Sequence, residues 1–351
     1  MTRVYDPAWW LPDPHSATLW GRLGRREPRL GSSALPVTRE HWDTPDGDFV
    51  ELVRLAPSGP TAGQAHASPE DQPRLLVLHG LEGGTHSHYV RALFREASTR
   101  GWAAELLLFR SCGSAPNRLP RSYHSGDTGD ARLVLERLRQ RHPTAPLGVV
   151  GVSLGGNVLC KLLGELGPAA TELMDGAVAM SVPFDLARAS RQIGRGFGAV
   201  YEQFFLKSLI PKAKDKLERH AELQSLVSLP RIRTLWEFDD AFTAPVHGFA
   251  SAADYYERSS SLPYLAGIRV PTLLLNAEDD PFLPPQVLGE VREQLQGSAA
   301  SDWVTAEFPS RGGHVGFTAG GWPWAAWYYG EWRAAEFLAQ AFADANRSRF
   351  A

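Results

Sequence analysis

The chain has 351 residues, of which 43% are hydrophobic and 10% aromatic, enough apolar material for a large core. Its formal net charge of -3 gives no electrostatic reason to expect a nucleic acid as a partner. Its 2 cysteines, Cys112 and Cys160, do not indicate a disulfide framework, and Cys160 is expected to be a small buried residue.

The amino terminus and the lengths of the apolar runs indicate the cellular location of the protein. The first residues lack the basic-then-apolar pattern of a secretory signal. No apolar run approaches the roughly 18–20 residues needed to span a bilayer. These patterns predict a cytoplasmic protein without a transmembrane segment.

The first predicted elements in chain order are an arm and two strands. Residues 1–37 are rich in Trp, Pro and Arg and lack periodicity, and we expect this arm to pack onto the main body through Trp9, Trp10 and Trp20. Residues 39–42 and 49–55 predict two strands around a turn. Residues 56–72 are rich in Pro, Gly, Ser and Ala, which predicts a loose surface loop.

Strands and helices alternate along most of the remaining chain. Strands are predicted at residues 75–78, 102–109, 147–150, 176–181, 272–276 and 303–308, and helices at 87–99, 130–141 and 157–166. Asp127 is expected to cap the second of these helices. The alternation predicts an α/β fold with a mostly parallel central sheet and helices on both faces.

The alternation fails between residues 183 and 264, where the pattern is helical. The length of the chain alone suggests two domains, but α/β folds of this size are often one domain with an insertion. We therefore expect a core formed by residues 38–182 and 265–351. Residues 183–264 would form a helical lid inserted over the site of this core.

The most informative stretch is Gly151-Val152-Ser153-Leu154-Gly155, which lies between a predicted strand and a predicted helix. Glycines two residues before and two after the serine let the strand and the helix approach each other at a sharp turn. In this setting the pattern indicates a nucleophile elbow that holds the Ser153 hydroxyl at the carboxyl edge of the sheet. Without partner residues, the same pattern would indicate an ordinary strand-to-helix turn.

A serine hydroxyl becomes a good nucleophile only when a base takes its proton. His314 is the candidate base, because it lies in a glycine-rich loop after the last predicted strand. An elbow of this type uses the chain order serine, acid, histidine. We choose Asp280 over Asp279 as the acid because a small residue lies three positions before it and a proline four positions after it. Asp279 is expected to be solvated or to cap a helix.

Two backbone amides would complete the site by holding a negatively charged oxygen. One is the amide of Leu154, directly after the candidate nucleophile. The other is expected from Leu81, in the loop His79-Gly80-Leu81 that follows an earlier predicted strand. His79 itself is expected to hold loop carbonyl groups in place, not to move protons.

The predicted lid contains an apolar helical run that includes Phe197, Phe204 and Phe205 and is followed by several lysines. This run fits the wall of an acyl pocket or a patch that rests on a lipid surface. It equally fits a helix that packs its apolar face on the body with its lysines in water. The plain packing interpretation is favoured over membrane contact and ranks level with the pocket wall.

Several of these blocks carry a resemblance to a known family. The motifs Gly-Val-Ser-Leu-Gly-Gly-Asn and His-Gly-Leu-Glu-Gly resemble the YheT-like branch of the α/β-hydrolases, and the resemblance extends over nearly the whole chain. Further blocks that match lie at residues 121–130, 239–245, 276–282 and 312–317. The resemblance implies an α/β-hydrolase fold in which Ser153, Asp280 and His314 form the triad. It also implies relatives that include acylglycerol lipases, medium-chain phospholipases and alcohol acyltransferases.

The combined interpretation is a serine carboxylic ester hydrolase that acts on short- to medium-chain acyl esters, including lipid esters. No metal or organic cofactor is expected, because the sequence has no His-Glu-x-x-His helix and no cysteine cluster, although His86 and His88 lie close together. The alternatives are an alcohol acyltransferase that uses the same triad and a non-catalytic ligand-binding member of the fold.

Overall fold

The computed structural model describes residues 3–56, 72–297, 300 and 302–350. The surface loop predicted for residues 56–72 therefore lies almost entirely outside the described residues. Eight strands form the main sheet of the described chain: β1 (Val37–Asp43), β2 (Phe49–Leu55), β3 (Arg74–Leu78), β4 (Ala103–Leu108), β5 (Leu147–Val152), β6 (Gly176–Met180), β7 (Thr272–Leu275) and β8 (Val304–Glu307). A short separate pair consists of β9 (Thr318–Ala319) and β10 (Trp327–Tyr328).

The strand order of the main sheet is β1-β2-β4-β3-β5-β6-β7-β8. The pairs β1–β2 and β2–β4 are antiparallel, and every later pair is parallel. Strand β5 lies near the middle, with Gly151 opposite Leu78 on β3 and Val152 opposite Met180 on β6. The predicted mostly parallel sheet is confirmed, and the carboxyl ends of its parallel strands meet at one edge.

Helices cover both faces of the sheet, as predicted. The helices of the described chain are α1 (Pro14–Leu23), α2 (His88–Thr99), α3 (Gly129–Arg141), α4 (Leu154–Leu166), α5 (Ala170–Leu173), α6 (Leu186–Ile193), α7 (Gly198–Arg219), α8 (Leu235–Phe238), α9 (Ala244–His247), α10 (Ala252–Ser259), α11 (Pro285–Leu295) and α12 (Tyr329–Phe350). Helices α3, α4 and α11 bury apolar side chains in one core, and α2 and α12 bury theirs in the core on the other face.

The junction between β5 and α4 depends on glycine. A Cβ atom at Gly155 would lie 2.3 Å from the carbonyl oxygen of Leu78, and one at Gly151 would lie 2.4 Å from the carbonyl oxygen of Gly155. No side chain fits at such distances, so the helix can begin directly above the strand only with glycine at both positions. This close approach fixes where the residue between them, Ser153, is held.

The segment between β6 and β7 folds into helices α6–α10, with further short helical turns and no strand among its described residues. Asn157 on α4 anchors the end of this segment to the core. Its side-chain amide donates to the carbonyl oxygens of Ser125 and Ser259, both at 2.8 Å, and its oxygen accepts from the Ser261 amide at 2.9 Å. The asparagine of the motif Gly-Gly-Asn thus connects α4 to the helical insertion.

The lysines that follow the apolar run of α7 are not all in water, so that part of the packing interpretation is wrong. Lys216 is buried and donates to Asn117 Oδ1 and to the carbonyl oxygens of Leu119 and Arg121. Burial lowers the pKa of Lys216 to about 8. This lysine stabilises the contact between α7 and the loop before α3.

The amino-terminal arm contains the helix α1, which was not predicted because the sequence of the arm lacks helical periodicity. Asp13 caps α1 by accepting from the amides of His15 and Ser16, each at 3.0 Å, and Pro14 occupies the first helical position. The Trp9 indole donates to the Gly321 carbonyl oxygen at 2.7 Å, and the Trp10 indole donates to the Gly320 carbonyl oxygen at 3.0 Å.

The expected cap of α3 is not observed. Thr128 occupies the capping position and makes no side-chain cap, whereas the Asp127 carboxylate pairs with Arg121 at 2.6 Å. The cause is electrostatic, because the Arg121 guanidinium binds the Asp127 carboxylate that would otherwise accept from the helix amides.

Substitution of two glycines by alanine tests the close approach at the elbow. Gly155→Ala should lower the free energy of unfolding by about 1–3 kcal/mol or more, because its methyl group would overlap the Leu78 carbonyl. Gly289→Ala, within α11 and with no atom within 4 Å of its added Cβ, should raise it by up to about 1 kcal/mol. Urea unfolding followed by circular dichroism measures both. Equal stability of the two variants would show that α4 does not approach β3 too closely for a side chain at position 155.

Candidate active site

Ser153 lies at the turn between β5 and α4 in a strained backbone conformation. Its φ is 54°, a left-handed value that a residue with a side chain rarely adopts. Its amide donates to the carbonyl oxygen of Met180 at 2.8 Å, which fixes the turn to β6. The serine hydroxyl is thereby presented at the carboxyl edge of the sheet, beside the amino terminus of α4.

The structure brings the three residues selected from the sequence together. His314 Nε2 lies 3.0 Å from Ser153 Oγ, and His314 Nδ1 lies 2.8 Å from Asp280 Oδ2. The other carboxylate oxygen of Asp280 accepts from the Phe282 amide at 2.8 Å, and the Phe282 ring stacks on the imidazole at 4.1 Å. The acid is buried and held on both oxygens, so it can keep the proton of the imidazole on Nδ1 and leave Nε2 free to accept from the serine.

Three side chains from three separate parts of the chain hold the loop that carries His314. The Gly313 amide donates to Asp279 Oδ1 at 2.8 Å, the His314 amide to Thr18 Oγ1 at 2.9 Å, and the Val315 amide to Ser181 Oγ at 3.0 Å. Gly313 and Val315 both have positive φ, so the loop needs such support to keep its shape.

Two of these supporting residues differ from the sequence analysis. Asp279 is not simply solvated: it holds the histidine loop, and burial raises its pKa. Thr18 lies on α1 in the arm and was missed. The sequence around Asp279 does not indicate that its carboxylate contacts a distant loop. Thr18 could not be connected with His314 from the sequence, because the two residues are 296 positions apart. The capping signal Asp13-Pro14 could have identified the helix, but not its contact.

His79 has the structural role that we expected. Its Nδ1 lies 2.7 Å from the Gly80 carbonyl oxygen, and its Nε2 accepts from the Phe109 amide at 3.2 Å. This pair of contacts requires a neutral ring with its proton on Nδ1, and burial lowers the pKa of His79 to about 4. The ring therefore braces the loop that contains Leu81.

The two candidate oxyanion donors, Leu81 and Leu154, come from loops or helix ends that follow two different strands, β3 and β5. Leu154 is the first residue of α4, so its amide has no partner within the helix. Leu81 follows β3, and its neighbour Glu82 holds the loop: the Glu82 amide donates to Tyr123 Oη at 2.8 Å, and its carboxylate pairs with Lys212 of α7 at 2.8 Å. Leu81 and Leu154 both line the cavity into which Ser153 opens.

A cavity of about 130 Å³ lies between the sheet edge and the helical insertion. Ser153 and His314 line its floor, and its walls are largely apolar, with Leu186, Ile193, Phe205, Leu209, Phe238 and Phe282 among them. Phe197 and Phe204 are absent from the lining, so their expected place in the substrate pocket is wrong. Both are about half exposed, at 48% and 47%, and they contact His15 and Arg22 of α1 instead. Helical periodicity identified the apolar face of α7 but not the neighbour that part of it meets.

The described residues contain neither a cluster suited to a metal ion nor a helix suited to crossing a membrane. In residues 3–56, 72–297, 300 and 302–350, no group of three or more His, Cys, Asp and Glu side chains could hold a metal ion. No helix in the same ranges is long and apolar enough to cross a membrane.

Comparison with known proteins places the chain in a family. A sequence model of the alpha/beta hydrolase fold matches residues 73–317. The chain is 38% identical over 311 residues to YheT of Escherichia coli (strain K12), an alignment that covers 87% of this chain and 84% of that protein. The chain belongs to the YheT-like branch of the α/β-hydrolases. The resemblance stated from the motifs is therefore confirmed.

Other members and neighbours extend the comparison. The α/β-hydrolase is 30% identical over 259 residues to a monoacylglycerol lipase of Saccharomyces cerevisiae, across 71% of this chain and 56% of that protein. The solved structure of the esterase Pf2001 from Pyrococcus furiosus matches with a TM-score of 0.54 and covers 90% of this chain and 97% of that one. Its identity is 15%, so this likeness shows the fold alone.

The neutral state of His79 predicts how stability depends on pH. Its pKa in the folded state, about 4, lies below the ordinary value of 6.5, so its full contribution is present above pH 6.5 and is lost as the pH falls toward 4. His79→Gln, which keeps a donor and an acceptor, should make the decline in unfolding free energy shallower by up to about 1.4 kcal/mol per pH unit in that window. Urea unfolding of both proteins at several pH values measures the difference. Parallel curves would show that the pKa of His79 is the same in the folded and unfolded protein, which would contradict a ring held neutral by burial.

Proposed function

We propose that this α/β-hydrolase is a serine carboxylic ester hydrolase that works through an acyl-enzyme intermediate. The observation that carries the proposal is the chain of two hydrogen bonds from Ser153 through His314 to Asp280, with distances of 3.0 and 2.8 Å. Both lie in the range needed for a base to take a proton from a nucleophile and for an acid to orient that base. The lipase name of a relative aligned over 71% of the chain supports the same class of bond.

In the proposed reaction, Ser153 Oγ attacks the carbonyl carbon of the ester while His314 Nε2 takes the hydroxyl proton. The carbonyl oxygen becomes an oxyanion that accepts hydrogen bonds from the Leu81 and Leu154 amides. The bond to the alcohol then breaks, and the imidazolium returns the proton to the leaving oxygen. Asp280 stabilises the imidazolium and keeps its ring oriented throughout.

Water completes the proposed cycle. His314 takes a proton from the water as its oxygen attacks the acyl carbon, and the same two amides hold the second oxyanion. The bond to Ser153 Oγ breaks, the serine regains a proton from the imidazolium, and the carboxylic acid leaves. Every proton in the cycle passes through one nitrogen, Nε2 of His314, so no metal or organic cofactor is required.

The shape of the cavity supports esters with short to medium acyl chains. Its apolar walls favour a hydrocarbon chain over a charged group. Its modest volume of about 130 Å³ supports a short to medium acyl group. In this proposal residues 183–264 act as the lid, since α6, α7, α8 and the turn after α8 form the walls opposite Ser153.

Replacement of the nucleophile is the direct test of this function. Ser153→Ala should reduce hydrolysis of nitrophenyl butanoate to the background rate, because it removes the hydroxyl that is hydrogen-bonded to His314 Nε2. A fluorophosphonate probe should label the parent and leave Ser153→Ala unlabelled, as read by intact mass. Labelling of both proteins to the same extent would rule out Ser153 as the nucleophile.

The two neighbouring aspartates give a matched test of the acid. Asp280→Asn should lower kcat by roughly three to four orders of magnitude, because the asparagine amide cannot hold the imidazole proton on Nδ1. Asp279→Asn should cost far less, since its side-chain oxygen can still accept from the Gly313 amide. Steady-state hydrolysis of the same ester compares them. A larger loss in Asp279→Asn would reverse the assignment.

A further inference from the structure

A group of polar side chains lies among the apolar walls of the cavity and has no part in the proposed triad chemistry. Asp239 lies there with Thr243, Tyr256 and Ser190, and all four line the same cavity as Ser153. Among the described residues that line the cavity, Asp239 is the one carboxylate. A carboxylate placed in an apolar pocket costs free energy unless something compensates for its lost water.

Hydroxyl groups compensate part of this cost. Thr243 Oγ1 donates to Asp239 Oδ1 at 2.6 Å, and Tyr256 Oη donates to Asp239 Oδ2 at 2.6 Å. Tyr256 Oη also lies 3.1 Å from Ser190 Oγ, so the four side chains form one continuous hydrogen-bonded row. A carboxylate has about four acceptor positions, and these contacts use two of them.

The backbone at this point is unusual. Residues Asp239–Thr243 form a single turn of π-helix, in which the Ala244 amide donates to the Asp239 carbonyl. Pro245 has no amide hydrogen to give to the carbonyl four residues before it, which removes an ordinary helical bond there. Such turns occur frequently at functional sites, and this one places Thr243 against the Asp239 carboxylate.

The two aspartates of this turn face different surroundings. Asp239 contributes to the cavity lining and is partly exposed there, while its partners Thr243 and Tyr256 are buried. Asp240 is exposed and accepts from the Ala252 amide at 2.8 Å, outside the cavity lining. Burial raises the pKa of Asp239 to about 6, which agrees with a carboxyl group surrounded by protein.

We propose that Asp239, with Thr243, Tyr256 and Ser190, forms a subsite that binds a hydroxyl group carried by the ester substrate away from the bond that is cleaved. This inference rests on the proposed ester hydrolysis and narrows its substrate to hydroxyl-bearing esters. A hydroxyl suits the subsite because it donates one hydrogen bond and can accept another. A primary ammonium carries three donors, more than the two acceptor positions that the Asp239 carboxylate has left, so a single hydroxyl matches the subsite better.

The hydroxyl could belong to the alcohol part or to the acyl part of the ester, and two pairs of substrates distinguish these sources. Glycerol monobutanoate and propyl butanoate differ in hydroxyls on the alcohol. The ω-hydroxy form of nitrophenyl hexanoate and nitrophenyl hexanoate itself differ in a hydroxyl on the acyl chain. For each pair, the quantity measured is the ratio of kcat/KM for the hydroxylated ester to kcat/KM for the plain ester.

Asp239→Asn should lower this ratio by roughly tenfold or more in one of the two pairs, the effect expected for a lost hydrogen bond to a charged group. Ser190→Ala, a smaller change on α6, should lower the ratio in the same pair by roughly threefold. The matched control Asp240→Asn, in the same turn but outside the cavity, should leave both ratios unchanged. The pair that responds identifies the part of the substrate that carries the hydroxyl.

A purely structural role for Asp239 would lower kcat/KM for both members of a pair equally and leave the ratio unchanged. That result in both pairs, for Asp239→Asn and Ser190→Ala alike, overturns the subsite while ester hydrolysis by the parent still stands. If the parent hydrolyses none of the four esters, the proposed function fails and this inference fails with it.

Discussion

The candidate active site of this α/β-hydrolase depends on one constraint, the close approach of α4 to the ends of β3 and β5. Gly151 and Gly155 leave no room for a side chain at this junction, and Ser153 between them is held at a φ of 54°. Such a backbone persists only where its surroundings over-determine it. Here β6 fixes the Ser153 amide and α4 begins at the next residue. The strain is therefore tied to the position of one hydroxyl group.

The other residues around the Ser153 hydroxyl come from parts of the chain that are distant in sequence. The loop of His314 is fixed by the arm through Thr18, by the residue after β6 through Ser181, and by the loop after β7 through Asp279. Helix α1 of the arm also meets α7 through His15 and Arg22. The same α7 pairs with the loop of Leu81 through Lys212 and Glu82. The arm, the helical insertion and the loop of Leu81 are thus connected to one another by side-chain contacts.

The sequence predicted the parts of the site that depend on local patterns. The elbow around Ser153, the strand before Asp280 and the glycine-rich loop of His314 each carry a short signature, and the parallel sheet then brings their ends to one edge. Contacts across long separations gave no such signature. Thr18 needed the folded arm, and Phe197 and Phe204 were misplaced because periodicity does not show which neighbour a helix meets. Lys216 was misplaced for the same reason, since its three acceptors come from a loop about a hundred residues earlier.

In the proposed mechanism, Ser153 becomes covalently acylated during turnover. The most direct measurement mixes the protein with excess nitrophenyl butanoate, stops the reaction in acid within milliseconds, and determines the intact mass and the modified peptide. We expect a mass increase of one butanoyl group, located on the peptide that contains Ser153, together with a burst of nitrophenol equal to the enzyme concentration. Steady release of nitrophenol without any acylated protein, or an acyl group on another residue, would contradict this mechanism.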